Sequence, residues 1–358
     1  MFRESDNLKR FQDSIVTDIK AKAVASARWK VRAMKGNMIL RETPWMKNVI
    51  VNRWWDSLAT TLGSLGFKGF IAGAGTATPA VTDTALQSYL GGGNAFQSAS
   101  TVINSTVAPR SMTTSVTIRG AEGAVVGNVA ELALYWGSTG GTQAPSNTVS
   151  ICNRVRVTDE LGAPTTIQVQ ADEFLEITCE MTWFAIDGAT GVWQMMDKGV
   201  LKTFNYEIRP VSMNSNAWKT IGINSSVVPF NPSSYISTAS TSSYNSPKAL
   251  AQTTFVNPSA TGASNTEAPG WNVASNAFDS NQLLEAYVPG SRTTKQRIRL
   301  PLNNGNLAAP GIRSIMIPFG DTSANSCWCV HQMLLDGPFV KTSNELLDMP
   351  ITVVRDNA

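Results

Sequence analysis

From residue 67 onward the apolar positions fall largely on alternate residues, in short runs closed by Gly, Pro, Asn or Ser. The runs MTTSVTIRG, GNVAELALYWG, CNRVRVTDELG, TTIQVQADEFLEITCEMTWFAI, LKTFNYEIRPVSM, RIRLPL, IRSIMIPFG and SCWCVHQMLL are β-branched or aromatic, which suits half-buried strands. Without helical segments between them they predict antiparallel sandwiches or barrels, not a parallel α/β sheet.

The first 26 residues have another period. Leu8, Phe11, Ile15, Ile19 and Val24 stand 3, 4, 4 and 5 apart with charged residues between them, a stripe that predicts an amphipathic helix in need of a partner surface. ARWKVRAMKGNMILRETPW then alternates about Lys35-Gly36-Asn37 as a hairpin ending at Pro44. NVIVNRWWDSLATTLGSLG returns to helical spacing at Val51, Trp54, Leu58 and Leu62 and stops in glycine. Trp54 and Trp55 are neighbours on that helix, so one is expected in the core and the other partly exposed. Leu8, Phe11, Ile15, Ile19, Trp54 and Trp55 are therefore the candidate assembly residues.

The reading is a mainly β fold: one or two antiparallel β-sandwich domains with an N-terminal amphipathic helix and a few short helices. Its expected divisions are a docking helix or arm at 1–26, a β-sandwich domain at 27–199, and a second β-rich domain at 200–358 with long polar loops over 220–290. Between Thr220 and Thr266 only Lys248 is charged, while Phe230, Tyr235, Ile236, Tyr244 and Phe255 punctuate a Ser/Thr/Asn/Pro background. That composition predicts ordered loops covering an interface. Two pairs of segments hint at a duplication breaking near residue 200. One is NRVRVTDELGAPTTIQVQADEFLEI with VHQMLLDGPFVKTSNELLDM; the other is GNVAELALYWGSTGG with GIRSIMIPFGDTSAN.

Composition narrows the chemistry. The 358 residues are 42% hydrophobic and 15% charged, a globular balance. Met1 to Asp56 holds 12 Lys/Arg and 6 Asp/Glu, a balance of +6, so the remainder carries −3 of the net +3. A charge this small gives no reason to expect nucleic acid. The opening residues lack a continuous apolar stretch, and no window approaches the roughly 18 apolar residues of a spanning helix. Synthesis in the cytoplasm without membrane insertion is the expectation.

The single histidine, His331, lies in an apolar strand beside Cys327-Trp-Cys329 and reads as structural, with no Gly-x-Ser-x-Gly elbow to partner it. Cys152, Cys179, Cys327 and Cys329 match no zinc spacing and read as buried free thiols. Asp159-Glu160 and Asp172-Glu173 lie in bends as solvated carboxylates. Glu176 and Glu180 share one strand face but stand roughly 13 Å apart, too far for a glycosidase pair. GAGTATPAVTDTAL, residues 73–86, has no Lys or Arg between Lys68 and Arg110 and no third glycine, so it is not a phosphate loop. It reads as a turn leaving a strand at Phe67 to Ala72. A short helix TALQSYL follows, started by Thr82 or Asp83 and stopped at Gly91-Gly92-Gly93. Among the ten tryptophans, Trp136, Trp183, Trp193 and Trp328 lie in strands and are expected in the core or in subunit contacts. Together these exclusions predict no enzyme, no cofactor and no metal.

Four segments carry a resemblance. KNVIVNRWWDSLA, FIAGAGTATPAVTDTAL, NVAELALYW and NRVRVTDELGAPTTIQVQADEFLEITCEMTWF, in this order and spacing, resemble β-rich tail-associated virion proteins of tailed bacteriophages. The elements concerned are Asn48 to Asn52, Gly73 to Leu86, and Arg154 to Leu175, within roughly residues 28–185; PFVKTSNELLDMPITVVRD resembles the family more loosely. The resemblance implies a structural protein of the tail, collar or fibre-attachment region, a homo-oligomer that contacts other virion tail or connector proteins. It carries over no catalytic residue. A receptor- or glycan-binding tail protein and a capsid decoration protein are the alternatives.

Overall fold

A computed structural model describes residues 19–60, 65–104, 111–138, 143–184, 188–197, 200–210, 255–256, 271–272, 287–300, 312–319, 329–340, 342 and 347–358. Leu8, Phe11, Ile15, Cys327, Trp328 and most of the 220–290 region lie outside them. Strand makes up 63% and helix 3% of what is described, in several mostly antiparallel sheets, so the chain is mainly β.

The first sheet has eight strands. Its axis is β1 (Ile19–Lys35). Along β1 one face buries Ala25, Ala27, Trp29, Val31 and Ala33, and the other carries Lys30, Arg28 and Arg32. This period of two is that of a half-buried strand, so residues 19–26 are strand and not the predicted helix, and the expected boundary at 26/27 falls inside one element. β2 (Met38–Glu42) and β3 (Met46–Lys47) pair with its C-terminal half. The β1–β2 turn is Gly36-Asn37 as expected, with Gly36 at φ 54°, the positive value a two-residue hairpin loop requires. β14 (Phe174–Phe184) runs antiparallel along β1, followed outward by β8 (Ser111–Arg119) and β7 (Ala95–Asn104). On the opposite edge, residues 19–25 of β1 pair in parallel with β22 (Leu347–Asn357), which is flanked by β19 (Thr293–Leu300).

The second sheet orders β4 (Val49–Ile50), β12 (Asn153–Arg156), β10 (Glu131–Ser138), β5 (Leu65–Gly73) and β6 (Tyr89–Gly93), with β11 (Ser150–Ile151) beside β10. β9 (Gly127–Val129) and β13 (Ile167–Val169) form a separate pair. Buried side chains of both larger sheets, among them Trp29, Ile177, Phe70 and Leu134, belong to one hydrophobic cluster. The helix α1 (Asn52–Thr60), predicted from its spacing, adds Trp54 and Trp55 to it. Trp54 stacks on Phe67 at 5.7 Å and meets half-buried Trp136 at 5.8 Å.

The third sheet orders β15 (Ala189–Asp197), β16 (Val200–Pro210), β21 (Cys329–Phe339), β20 (Ile312–Phe319), β17 (Phe255–Val256) and β18 (Trp271–Asn272). Its described buried residues include an aromatic cluster of Trp193, Phe204 and Phe339 with centroids 5.5 to 5.7 Å apart, together with Ile208, Met333 and Leu335. Tyr206 joins this sheet to the first, its hydroxyl accepting from the Lys20 N–H at 2.9 Å.

The second and third sheets share a topology. Ranked by chain order, β4-β12-β10-β5-β6 run first, fifth, fourth, second, third, and so do β16-β21-β20-β17-β18. For each set, a strand that precedes the fourth member in the chain pairs antiparallel with one that follows the fifth: β8 with β14, and β19 with β22. The two flanking strands β14 and β22 both pair with β1 in the first sheet. The 199/200 division expected from the sequence cuts the hairpin β15–β16; the strand pairing changes units between Phe184 and Ala189.

Candidate functional site

The glycine-rich segment 73–88 leaves β5, crosses the ends of β10 and β12, and re-enters the sheet as β6. No helix forms at 84–90, which corrects the expectation of a capped helix there. The reason is a buried ion cluster. Glu131, 0% exposed at the start of β10, accepts on Oε1 from the Gly75 N–H at 3.0 Å and the Ser88 N–H at 2.9 Å. Its Oε2 accepts from Arg154 Nε at 2.8 Å and Nη2 at 2.7 Å. Arg154 Nη1 donates to Asp83 at 2.7 Å and Nη2 to the Ala77 carbonyl at 3.2 Å. Asp83 Oδ2 also accepts from the Ala80 N–H at 2.8 Å, so the residue expected to cap a helix closes a turn behind itself. Gln87 Oε1 accepts from the Thr76 and Ala77 N–H groups at 2.8 and 3.0 Å.

Burial would favour the neutral form of Arg154, but the carboxylates of Asp83 and Glu131 outweigh it and hold the guanidinium charged. Both Glu131 oxygens are occupied by donors and closed to water. The cluster therefore fixes a loop; it has no open position for acid–base chemistry. A Cβ on Gly75 would stand 2.2 Å from Glu131 Oε1, so close packing, not phosphate binding, calls for glycine here.

The flanking segments join the same junction. β4 pairs with β12 through Val49↔Arg154 and Ile50↔Asn153. The Asn52 N–H donates to the Val81 carbonyl at 2.7 Å, and Asn153 Oδ1 accepts from the Leu134 N–H at 3.1 Å. With its amide in the orientation its neighbours satisfy, Asn48 donates to the Ala27 carbonyl and accepts from Asn153 and the Trp29 indole. The Asn52 side chain accepts from Arg292 at 2.7 Å, and Asp56 accepts from the Tyr287 hydroxyl at 2.6 Å and the Gly290 N–H at 2.8 Å. Helix α1 thus anchors the segment that leads into β19.

Of the candidate assembly residues, Ile19, Trp54 and Trp55 are all buried, and both tryptophans belong to the core; the expectation of one partly exposed ring is corrected. Cys152 and Cys179 are buried free thiols, as expected, and burial pushes both thiols up. His331 lies on β21. Asp172 is exposed as expected, whereas Glu173 is buried and paired with Arg41, a partner the sequence did not suggest. Glu176 and Glu180 do share a face of β14, where they meet Arg119 and Arg28. Among the described residues no group of three or more His, Cys, Asp or Glu is placed to hold a metal, and no helix is long and apolar enough to cross a membrane.

A second feature is an open cleft of about 670 Å³ between residues 41–45 and the bend 158–167. Trp45 lines one wall and Thr158, Glu160, Thr165 and Thr166 the other.

Fold and site define a mainly β protein whose most elaborate local structure is a loop-fixing ion cluster. No model of a known protein family matches the sequence, and no curated protein matches it significantly.

Proposed function

We propose that the chain is a non-enzymatic structural component of a tailed-phage virion, placed in the tail, collar or fibre-attachment region and assembled as a homo-oligomer. The observation that carries this reading is the convergence of the four segments that resemble such proteins. Asn48 to Asn52, Gly73 to Leu86, the strand of Glu131 and the strand of Arg154 meet in one junction, so the resemblance describes one three-dimensional unit and not scattered matches. The shared core of the first two sheets is best described as a β-sandwich, and the recurring strand order as a tandem duplication of that unit. The partners are further copies of the chain and neighbouring tail or connector proteins. Docking uses the apolar stripe of Leu8, Phe11 and Ile15, because Ile19 onward is committed to β1. Mass spectrometry of purified particles tests the assignment: the chain is expected at a fixed stoichiometry, and its absence from washed particles sinks the reading. Removing residues 1–18 is expected to abolish incorporation while leaving the β fold intact.

A further inference from the structure

The cleft at Trp45 stands apart from the Arg154 junction, and the way its groups are already engaged narrows what could enter it. Of the tryptophans whose side chains are described, Trp29, Trp54, Trp55 and Trp193 are buried and Trp136 is half-buried; Trp45 is 39% exposed. Its ring is held in place. The Arg28 guanidinium lies 4.5 Å from the ring centroid, and Arg28 is fixed in turn by Glu180 at 2.6 Å. A cation on one face leaves the rest of the ring to line the cleft, ordered before any ligand arrives, so little side-chain entropy is lost on binding.

The charges lining the cleft are mostly spent. Lys30 is bound to Glu42 at 2.6 Å, and Arg41 to Glu173 and to the Gln168 carbonyl. Asp159 Oδ1 accepts from the Leu161 and Ala163 N–H groups, both at 2.9 Å, shaping its own turn. The lining holds two cations, Lys30 and Arg41, against three carboxylates, Glu42, Asp159 and Glu160, a formal balance of −1. That balance repels phosphates, sulfates and nucleic acid, and the paired cations offer no free fork for them. What the exposed residues of the lining do present is Glu160 with Thr165 and Thr166, carboxylate and hydroxyl groups in the same cleft as the Trp45 ring. The volume lies within the ~300–1,000 Å³ of small-ligand sites.

We propose that this cleft binds an uncharged pyranose oligosaccharide, stacked by its C–H face on Trp45 and hydrogen-bonded through its hydroxyls to Glu160, Thr165 and Thr166. The site goes beyond the virion reading and does not depend on it. Isothermal titration of the full-length protein with cellohexaose, maltohexaose and chitohexaose tests it, with a heparin hexasaccharide as the anionic comparison. At least one neutral probe is expected to bind. Trp45→Ala is expected to weaken that binding by about tenfold or more, Trp45→Phe by no more than about threefold, and Glu160→Gln by an intermediate factor, with thermal melting showing each variant folded. Failure of all three neutral probes, unchanged binding by Trp45→Ala, or binding of the heparin probe alone overturns the proposal. Incorporation of Trp45→Ala into particles is expected to be normal, so a failure here is distinguishable from a failure of the structural role.

Discussion

At the scale of single residues the decisive group is Arg154. It reaches Asp83 from 71 positions away, and with Glu131 it replaces the cation that the glycine-rich segment lacks in its own neighbourhood. A buried pair broken on one side leaves an uncompensated charge, so Arg154→Ala is expected to destabilise the protein by about 3–5 kcal/mol in urea denaturation. The apolar double replacement Arg154→Met with Glu131→Leu is expected to recover much of that loss, because removing both charges also removes their desolvation penalty. Gly75→Ala places its Cβ 2.2 Å from Glu131 Oε1 and 2.5 Å from Gln87 Cβ, and is expected to lower the urea midpoint on the same grounds. None of this was legible locally. The Thr-Asp-Thr sequence carries a true signal for a side chain binding backbone N–H, but whether that backbone continues as helix depended on a residue the local window does not contain.

Elements were read more reliably where packing reinforces local pattern. The Gly36-Asn37 hairpin, helix α1 and the described parts of the runs from MTTSVTIRG onward form as their periodicity says. Only residues 19–26 of β1 depart from the expectation, because the buried position Ala25 is an alanine, small and helix-favouring, so the apolar spacing follows the larger Ile15, Ile19 and Val24 instead; from Ala27 onward the strand forms as its alternation predicts. Its outer face is tied to neighbouring strands by ion pairs. Burial raises the carboxyls of Glu42 and Glu173, but the hydrogen bonds from Lys30 and Arg32 to the first, and from Arg41 and the Gln170 N–H to the second, outweigh it and leave both below the ordinary range. A lowered folded-state value stabilises the fold above the unfolded value of about 4.3 and is lost as pH falls through the folded value. The melting temperature is accordingly expected to hold from neutral pH to about pH 5 and to fall below it, with a shallower fall in Arg41→Ala. On helix α1, Asp56→Ala is expected to accelerate amide exchange selectively in residues 287–293, which it holds through Tyr287 and Gly290.

For the whole molecule, the repeated strand order means that each unit has its own sheet while the first sheet belongs to both. The paired segments of the sequence fall on strands of the two sets, β10 and β12 in one and β20 and β21 in the other. The joint itself was not legible, since a parallel pairing of residues 19–25 with 351–357 leaves no turn or spacing to read. Cleavage at a protease site introduced between Phe184 and Gly188 is expected to leave the two halves associated through β1 and β22, as a single peak in size-exclusion chromatography under native conditions.

That joint also sets a clock on synthesis. The ribosome makes Ile19 to Ala25 long before Ile351 to Asn357, so one margin of β1 stays unpaired while more than 300 residues emerge between them. Contacts so distant in sequence form slowly, and an open strand margin recruits other nascent chains. Lys20 and Lys22, exposed along this stretch, place positive charge where such recruitment would begin. A chain whose translation stalls before Leu347 is left with that margin bare, the condition in which edge-to-edge association is expected.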